Sequence, residues 1–246
     1  MLIPISYILL KNKIKGIIHI GAHELEEYSS YLKKNIDNVI WIEANPEKYT
    51  YIEKKIRKNK NMILGKFAAG SEIDKLFLNI SNNGQSSSIL PLGTHKLSYP
   101  NIFYTSRVEV NVLPFDYWAI DHKIDNELYN FINIDIQGYE LEALKGMKEQ
   151  LFFADYLYLE VNFREVYKNC SKIKDLDKFL CNYNFTRVGT YKTNKGWGDA
   201  IYVKKNIFIN KIYYFFLVPF LKMIFLPFKI FKRIILLNKI LINKFK

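Results

Sequence analysis

The chain carries two cysteines in 246 residues, Cys170 and Cys181. They are too few and too widely spaced for a metal clip or a disulfide framework, so the composition points to a reducing compartment and to packing roles for both thiols. Arginine is scarce as well, at five of the 36 basic residues (Arg57, Arg107, Arg164, Arg187 and Arg233). Phosphate-reading surfaces favour the bidentate guanidinium, which weighs against nucleic acid as a partner. Long apolar runs are missing too. In the C-terminal tail the longest uncharged run, 212–221, has ten residues, where a helix needs roughly 20 to span a bilayer. Residues 1–10 are apolar but lack a basic n-region and a small-residue cleavage site, and Pro4 interrupts them. They are expected to belong to a leader, 1–14, that packs on the domain and is not a signal peptide.

The charge is unevenly placed. Ten basic residues and no acid stand from Lys204 onward, which leaves 26 basic against 24 acidic residues in 1–203. The body is nearly neutral, and the tail over 206–246 interleaves lysine with Ile, Leu and Phe. On a helical wheel Lys222, Lys229, Lys232, Arg233 and Lys239 share one side, the pattern of a basic amphipathic helix lying on an anionic membrane surface. Pro219 and Pro227 are expected to kink or divide it. The rival reading is a core or dimer element whose lysines face water. The membrane reading places the protein in the cytoplasm, peripheral at the membrane.

Between residues 15 and 70, short β-rich runs alternate with helical patterns. Strands are predicted over 16–20, 39–43 and 62–68, and helices over 24–34 and 46–58, the second opening on Pro46. This rhythm implies parallel pairing through right-handed crossovers, an open α/β sheet with helices on both faces. It lapses over 70–118, an expected insertion with strands at 75–80 and 108–112 around the polar loop SNNGQSSS (81–88). It resumes with strands at 131–136 and 156–161, helices at 139–150 and 175–183, and an edge hairpin of 185–189 and 200–204. The domain expected from this pattern covers 15–205.

Three places can carry chemistry. After the first strand, His19-Ile20-Gly21-Ala22-His23 forms a small-residue turn before a helix, where backbone N–H groups can face a ligand. Glu43, 22 residues beyond Gly21 at the end of the second strand, is placed to accept hydrogen bonds from ribose hydroxyls. Without second and third glycines beside Gly21, a pyrophosphate loop and hence a nicotinamide oxidoreductase are disfavoured, although Glu43 alone does not exclude one. His19 and His23 stand four apart, but across a strand end and a loop, so the shared face of a helical metal pair is not theirs and no metal ligand is assigned. The third place is Asp135-Ile136-Gln137-Gly138-Tyr139-Glu140, with Glu160 and Asn162 ending the next strand at the same edge. Carboxylates converging there can act as a base, hold substrate hydroxyls or bind an ion. Alternatively Glu140 caps its helix and Asp135 fixes the turn.

Together these segments resemble the FkbM family of S-adenosylmethionine-dependent methyltransferases. The matching pieces are IIHIGAHELEEY (17–28), WIEANP (41–46), SNNGQSSSIL (81–90), VLPFDYW (112–118), NIDIQGYELEALKGM (133–147) and LYLEVN (157–162). Three positions depart from the family pattern: His19 where Asp is common, Leu25 where a second Gly is common, and Gln137 where Glu is usual.

The resemblance implies a class I methyltransferase (Rossmann-like) mixed sheet, S-adenosyl-L-methionine as donor, and O-methylation of a sugar, nucleotide-sugar or glycan hydroxyl. It places Gly21 and Ala22 at the donor's methionine end, Glu43 at its ribose, and Phe67, Ala68 and Ala69 near its adenine, with His19, His23 and Ala44 also among the donor-binding residues. Asp135 would face the reacting centre. Asp135 or Glu160 is then expected to take the hydroxyl proton, directly or through a divalent cation, while Glu140 orients the acceptor. The 81–88 loop, Arg107 and Trp118 are expected to form the acceptor surface. The rival from another class is a membrane-tethered scaffold that keeps the fold without turnover.

Overall fold

The computed structural model describes residues 13–205 and 207. The expectations for a leader over 1–14 and for a tail over 206–246 therefore fall outside the described residues, Lys13, Ile14 and Ile207 apart. Among the described residues there are ten strands: β1 (Ile17–Ile20), β2 (Val39–Glu43), β3 (Met62–Lys66), β4 (Ala68–Ala69), β5 (Asp74–Ser81), β6 (Tyr104–Leu113), β7 (Phe131–Ile134), β8 (Tyr156–Asn162), β9 (Phe185–Lys192) and β10 (Trp197–Lys204). Seven of them form one sheet in the order β3-β2-β1-β7-β8-β10-β9. The first five pair in parallel, while β10 runs antiparallel to both its neighbours. This is the expected mixed α/β sheet with a hairpin at its edge. β1 pairs with β2 on one side and β7 on the other, so the connections diverge there. Such a switch point opens a crevice outside the carboxyl ends of the strands.

Burial on both faces explains the near-continuous apolar strands. Because side chains alternate along a strand, Ile18, Ile20, Ile40 and Ile42 point to one face and His19 and Trp41 to the other. The first set joins a core with Phe115, Trp118, Leu144, Met147, Leu151 and Leu176. Those residues come from α4 (Phe115–Asp121), α5 (Glu140–Lys145) with the turn after it, α6 (Gln150–Phe153) and α7 (Ile173–Cys181). Each such side chain contributes roughly 1.5–3 kcal/mol when fully buried. On the opposite face, Tyr31 of α1 (Tyr28–Leu32) stacks on Trp41 with ring centroids 5.3 Å apart. The remaining helices are α2 (Pro46–Ile56) and the single turn α3 (His95–Ser98).

Local backbone conformation corrects several predicted boundaries. The helix expected from residue 24 begins at Tyr28, because His23 (φ 44°) and Leu25 (φ 59°) adopt left-handed conformations that no α-helix accommodates. The strand expected over 62–68 breaks at Phe67. Beyond it, Ala68 and Ala69 leave the main sheet and pair with β6, which with β5 makes a separate three-stranded sheet. The helix expected to run to residue 150 stops at Lys145. A Cβ on Gly146 would lie 1.8 Å from the Gly70 carbonyl oxygen, so only glycine lets these segments meet.

Candidate active site

Two loops at the switch point are tied together by one carboxylate. The Glu43 side chain accepts the backbone N–H of His23 at Oε2 and that of Asn45 at Oε1, each at 2.7 Å. Burial pushes its carboxyl up, and the same two amides oppose that shift by favouring the ionised form. Gly21, with φ 91°, turns so tightly that a Cβ there would lie 2.0 Å from the Asp135 carbonyl oxygen. The first loop therefore rests directly on the strand end that carries Asp135.

Above this junction lies a cleft of about 650 Å³, its open mouth included. Ile20, Ile42, Phe67, Ala68, Ala69, Leu78 and Ile89 make its apolar part, and Gly21, His23, Glu43, Asn45, Asp135 and Gln137 its polar part. Gly21, His23, Glu43, Ala44, Phe67, Ala68, Ala69 and Asp135, expected around the donor, thus converge on one space. Ala22 is fully buried and does not line it. Leu25, at 1% exposed, likewise points into the protein and leaves the cleft unobstructed.

A second hollow of about 1130 Å³ adjoins the first. The two share Gly21, His23, Gln85, Asp135 and Gln137. His19 lines this second space and not the first. Its ring packs on Trp41 at 4.8 Å, and its Nδ1 lies 2.9 Å from the Tyr31 hydroxyl. Burial lowers its proton affinity more than Glu27, Asp135 and Glu26 raise it, so the imidazole is neutral near pH 7.

Gln137 is the centre of the polar cluster between the two spaces. Its Nε2 donates to Asp135 Oδ1 at 2.6 Å and to Glu160, and its Oε1 accepts from the Tyr167 hydroxyl at 2.6 Å. Glu160 is 4% exposed, and burial first, then the nearby Asp135 charge, push its carboxyl well above the ordinary range. That shift favours the protonated form and weakens Glu160 as a base. Glu140 lines neither space. It is fully buried and its Oε1 accepts the amides of Gly138 (2.9 Å) and Ile136 (3.2 Å), holding its own turn and not orienting an acceptor.

The 81–88 loop covers both spaces. Gly84, Gln85, Ser87 and Ser88 line the cleft, and Asn83, Gln85 and Ser86 the hollow. The Ser88 hydroxyl donates to the Gln137 carbonyl at 2.8 Å, docking the loop on the turn after β7. The expected partners Arg107 and Trp118 lie elsewhere. Arg107 stacks on Phe77 in the small sheet, and Trp118 packs on Phe67 inside the core. Sequence reasoning assigned no role to His95 and did not single out Tyr167. Spacing carried no signal for Tyr167, because it reaches the site from the loop after β8. Among the described residues no group of three or more His, Cys, Asp or Glu is arranged to hold a metal ion.

The chain has no match among curated proteins. It is similar to three solved structures among others. One is an uncharacterised protein from Listeria monocytogenes serotype 4b (10% identity, TM-score 0.47, covering 83% of this chain and 69% of that one). Another is Aeropyrum pernix fibrillarin in complex with S-adenosyl-L-methionine (12%, 0.45, 76% and 65%). The third is the magnesium protoporphyrin IX methyltransferase of Synechocystis PCC 6803 with bound SAM (10%, 0.45, 82% and 76%). The methyltransferase FkbM domain matches residues 19–186, and the chain belongs to that methyltransferase family.

Proposed function

We propose that the protein is an S-adenosyl-L-methionine-dependent O-methyltransferase acting on a sugar or glycan hydroxyl. The observation that carries this reading is the pair of spaces that meet at Asp135 and Gln137. The smaller space fits the donor. Each Glu43 oxygen holds one backbone amide and has lone-pair capacity left for a ribose hydroxyl. The slot made by Phe67, Ala68, Ala69 and Leu78 suits a flat base. Bound there, the donor supplies a sulfonium methyl group that is already strongly electrophilic.

What the chain must add is position and a proton acceptor. Asp135 stands at the seam between the spaces, half-buried, and takes the proton of an acceptor hydroxyl that lies in the larger hollow. The Gln137 amide holds its Oδ1 and fixes the side chain. Holding donor and acceptor in line supplies most of the rate. No step in this reading uses a cation.

Calorimetric titration with S-adenosyl-L-methionine and S-adenosylhomocysteine, with NAD as control, followed by transfer of labelled methyl to a panel of sugars, tests the reading. Micromolar binding of the sulfur nucleotides with labelled sugar supports it. Binding without labelled product from any sugar rejects the acceptor class, and silence from both nucleotides returns the protein to the scaffold reading.

We also propose that residues 206–246 hold the enzyme at an anionic membrane surface on the cytoplasmic side. The support is compositional, since ten basic residues from Lys204 onward have no acid among them and are interleaved with large apolar side chains. Co-sedimentation with anionic vesicles should drop several-fold when Lys229→Glu and Lys232→Glu are combined. Equal pelleting removes the membrane proposal.

A further inference from the structure

We propose that the larger hollow selects an amine-bearing acceptor, an amino sugar, and rejects phosphorylated or uronic sugars. The inference rests on the O-methyl transfer reading and narrows its substrate class. Four carboxyl groups line the hollow, those of Glu26, Glu27, Asp135 and Glu160, and among the described residues no lysine or arginine does.

Their partners decide what charge an entering ligand meets. Glu26 is matched with His23 at 2.7 Å, and each holds the other in its charged form. Burial and the neighbouring Asp135 charge favour the protonated form of Glu160. Glu27 and Asp135 both act on His19, yet that imidazole stays neutral because burial dominates, so it supplies no counter-charge to either. Glu27 lies 3.9 Å from His19 Nε2. The hollow therefore presents two carboxylates across a neutral ring, a place for an ammonium group and a poor one for a phosphate or a second carboxylate.

A separate observation marks the hollow as a binding site. His95 lines it, is 6% exposed, and its Nδ1 has no hydrogen-bond partner among the described residues. Buried polar atoms without partners are uncommon in native structures, and this one belongs to a ring in the wall of the hollow. The His95 ring packs on Tyr99 at 4.9 Å, and Trp197 Nε1 donates to the Tyr99 hydroxyl at 3.2 Å. These rings form a wall against which the apolar face of a pyranose can stack. Lys195 Nζ lies 5.8 Å from the Tyr99 ring, and Lys195 is not part of the lining.

The test uses the full chain saturated with S-adenosylhomocysteine, so that the donor's own ammonium group is already in place. Methyl glycosides of glucosamine, N-acetylglucosamine and glucuronic acid are compared by saturation-transfer NMR and titration. Glucosamine is expected to bind at least tenfold more tightly than its N-acetyl form, with no signal from the uronic acid. Raising the pH until the sugar amine is neutral should abolish the preference, a control that needs no variant. Glu27→Gln should also reduce it to near unity without changing S-adenosylhomocysteine affinity, since Glu27 does not line the donor cleft. Equal binding of the three sugars, a preference for the uronic acid, no binding by any of them, or a preference that survives in Glu27→Gln overturns the inference. If glucosamine is preferred but receives no methyl group from the donor, the selectivity stands and the methyl-transfer reading fails.

Discussion

The backbone N–H of His23 donates to the Glu43 carboxylate across 2.7 Å, joining two loops 20 residues apart in the chain. With the Asn45 amide on its other oxygen, Glu43 both builds the cleft and lines it. Glu43→Ala should leave two buried amides without an acceptor, at about 1–3 kcal/mol of stability. Donor affinity should fall at least about tenfold, which matches about 1.4 kcal/mol. Glu43→Gln keeps an acceptor oxygen and should lose less on both counts. Chemical unfolding and titration with S-adenosylhomocysteine measure the two effects separately.

Asp135 and Glu160 share the Gln137 amide but not the same chemistry. Asp135→Asn should abolish turnover while S-adenosylhomocysteine still binds. Glu160→Gln mimics the protonated form that burial favours and should keep most of the turnover at neutral pH. The sign for stability follows from linkage. An acid whose folded pKa is raised above 4.5 is increasingly costly as pH climbs from that value to the raised one. Removing the ionisable group lifts that cost, so Glu160→Gln should match or exceed the parent's stability at pH 8 in urea titrations. If turnover is lost equally in both variants, the assignment of the base to Asp135 fails.

Gln137→Glu restores the side chain usual in the family but removes the N–H donors that bridge two carboxyl groups. A third carboxyl would then face Asp135 and Glu160 in a buried cluster. Stability should drop by about 1–3 kcal/mol at pH 8 and recover toward pH 5, as one of the three takes up a proton. Unfolding at the two pH values decides this.

The His23 and Glu26 side chains pair at 2.7 Å, and Gly84 of the covering loop sits over His23 Nε2. The Glu26 hydrogen bond raises the His23 pKa above 6.5, and Glu26 itself is held down at about 2. For His23, the stabilisation is complete below 6.5 and is lost as pH rises through the raised value. For Glu26 it is complete above 4.5 and is lost as pH falls toward 2. NMR titration of the His23 imidazole should give a midpoint above 6.5 that moves back down in Glu26→Gln. An unchanged midpoint would show that the pair does not form in solution.

Much of the site was legible in the sequence because single residues there have few alternatives. Gly21 and Glu43 stand at predicted strand ends, and the crossover rule places those ends on one edge. Asp135 followed from the same logic. Arg107 and Trp118 misled because a loop beside a site need not send its flanking residues into it. One of them stacks on its own hairpin and the other fills the core. Glu140 showed both of its possible roles in the sequence, and only the amide positions at Ile136 and Gly138 distinguish capping from substrate contact.

By itself the sequence determined the parallel sheet and brought the candidate residues to one edge of it, through strand periodicity, glycine positions and chain connectivity, all local or nearly so. Its motifs, taken together, carried the resemblance to the family. Only the tertiary structure decided that His19 belongs to the second hollow, that burial raises the Glu160 carboxyl and that Gln137 holds the cluster together. It also brought Tyr167 and His95 to the site from distant segments. Protonation state depends on burial and on neighbouring charge, and both depend on residues far away in the chain, here 25 positions between Asp135 and Glu160 and 116 between His19 and Asp135.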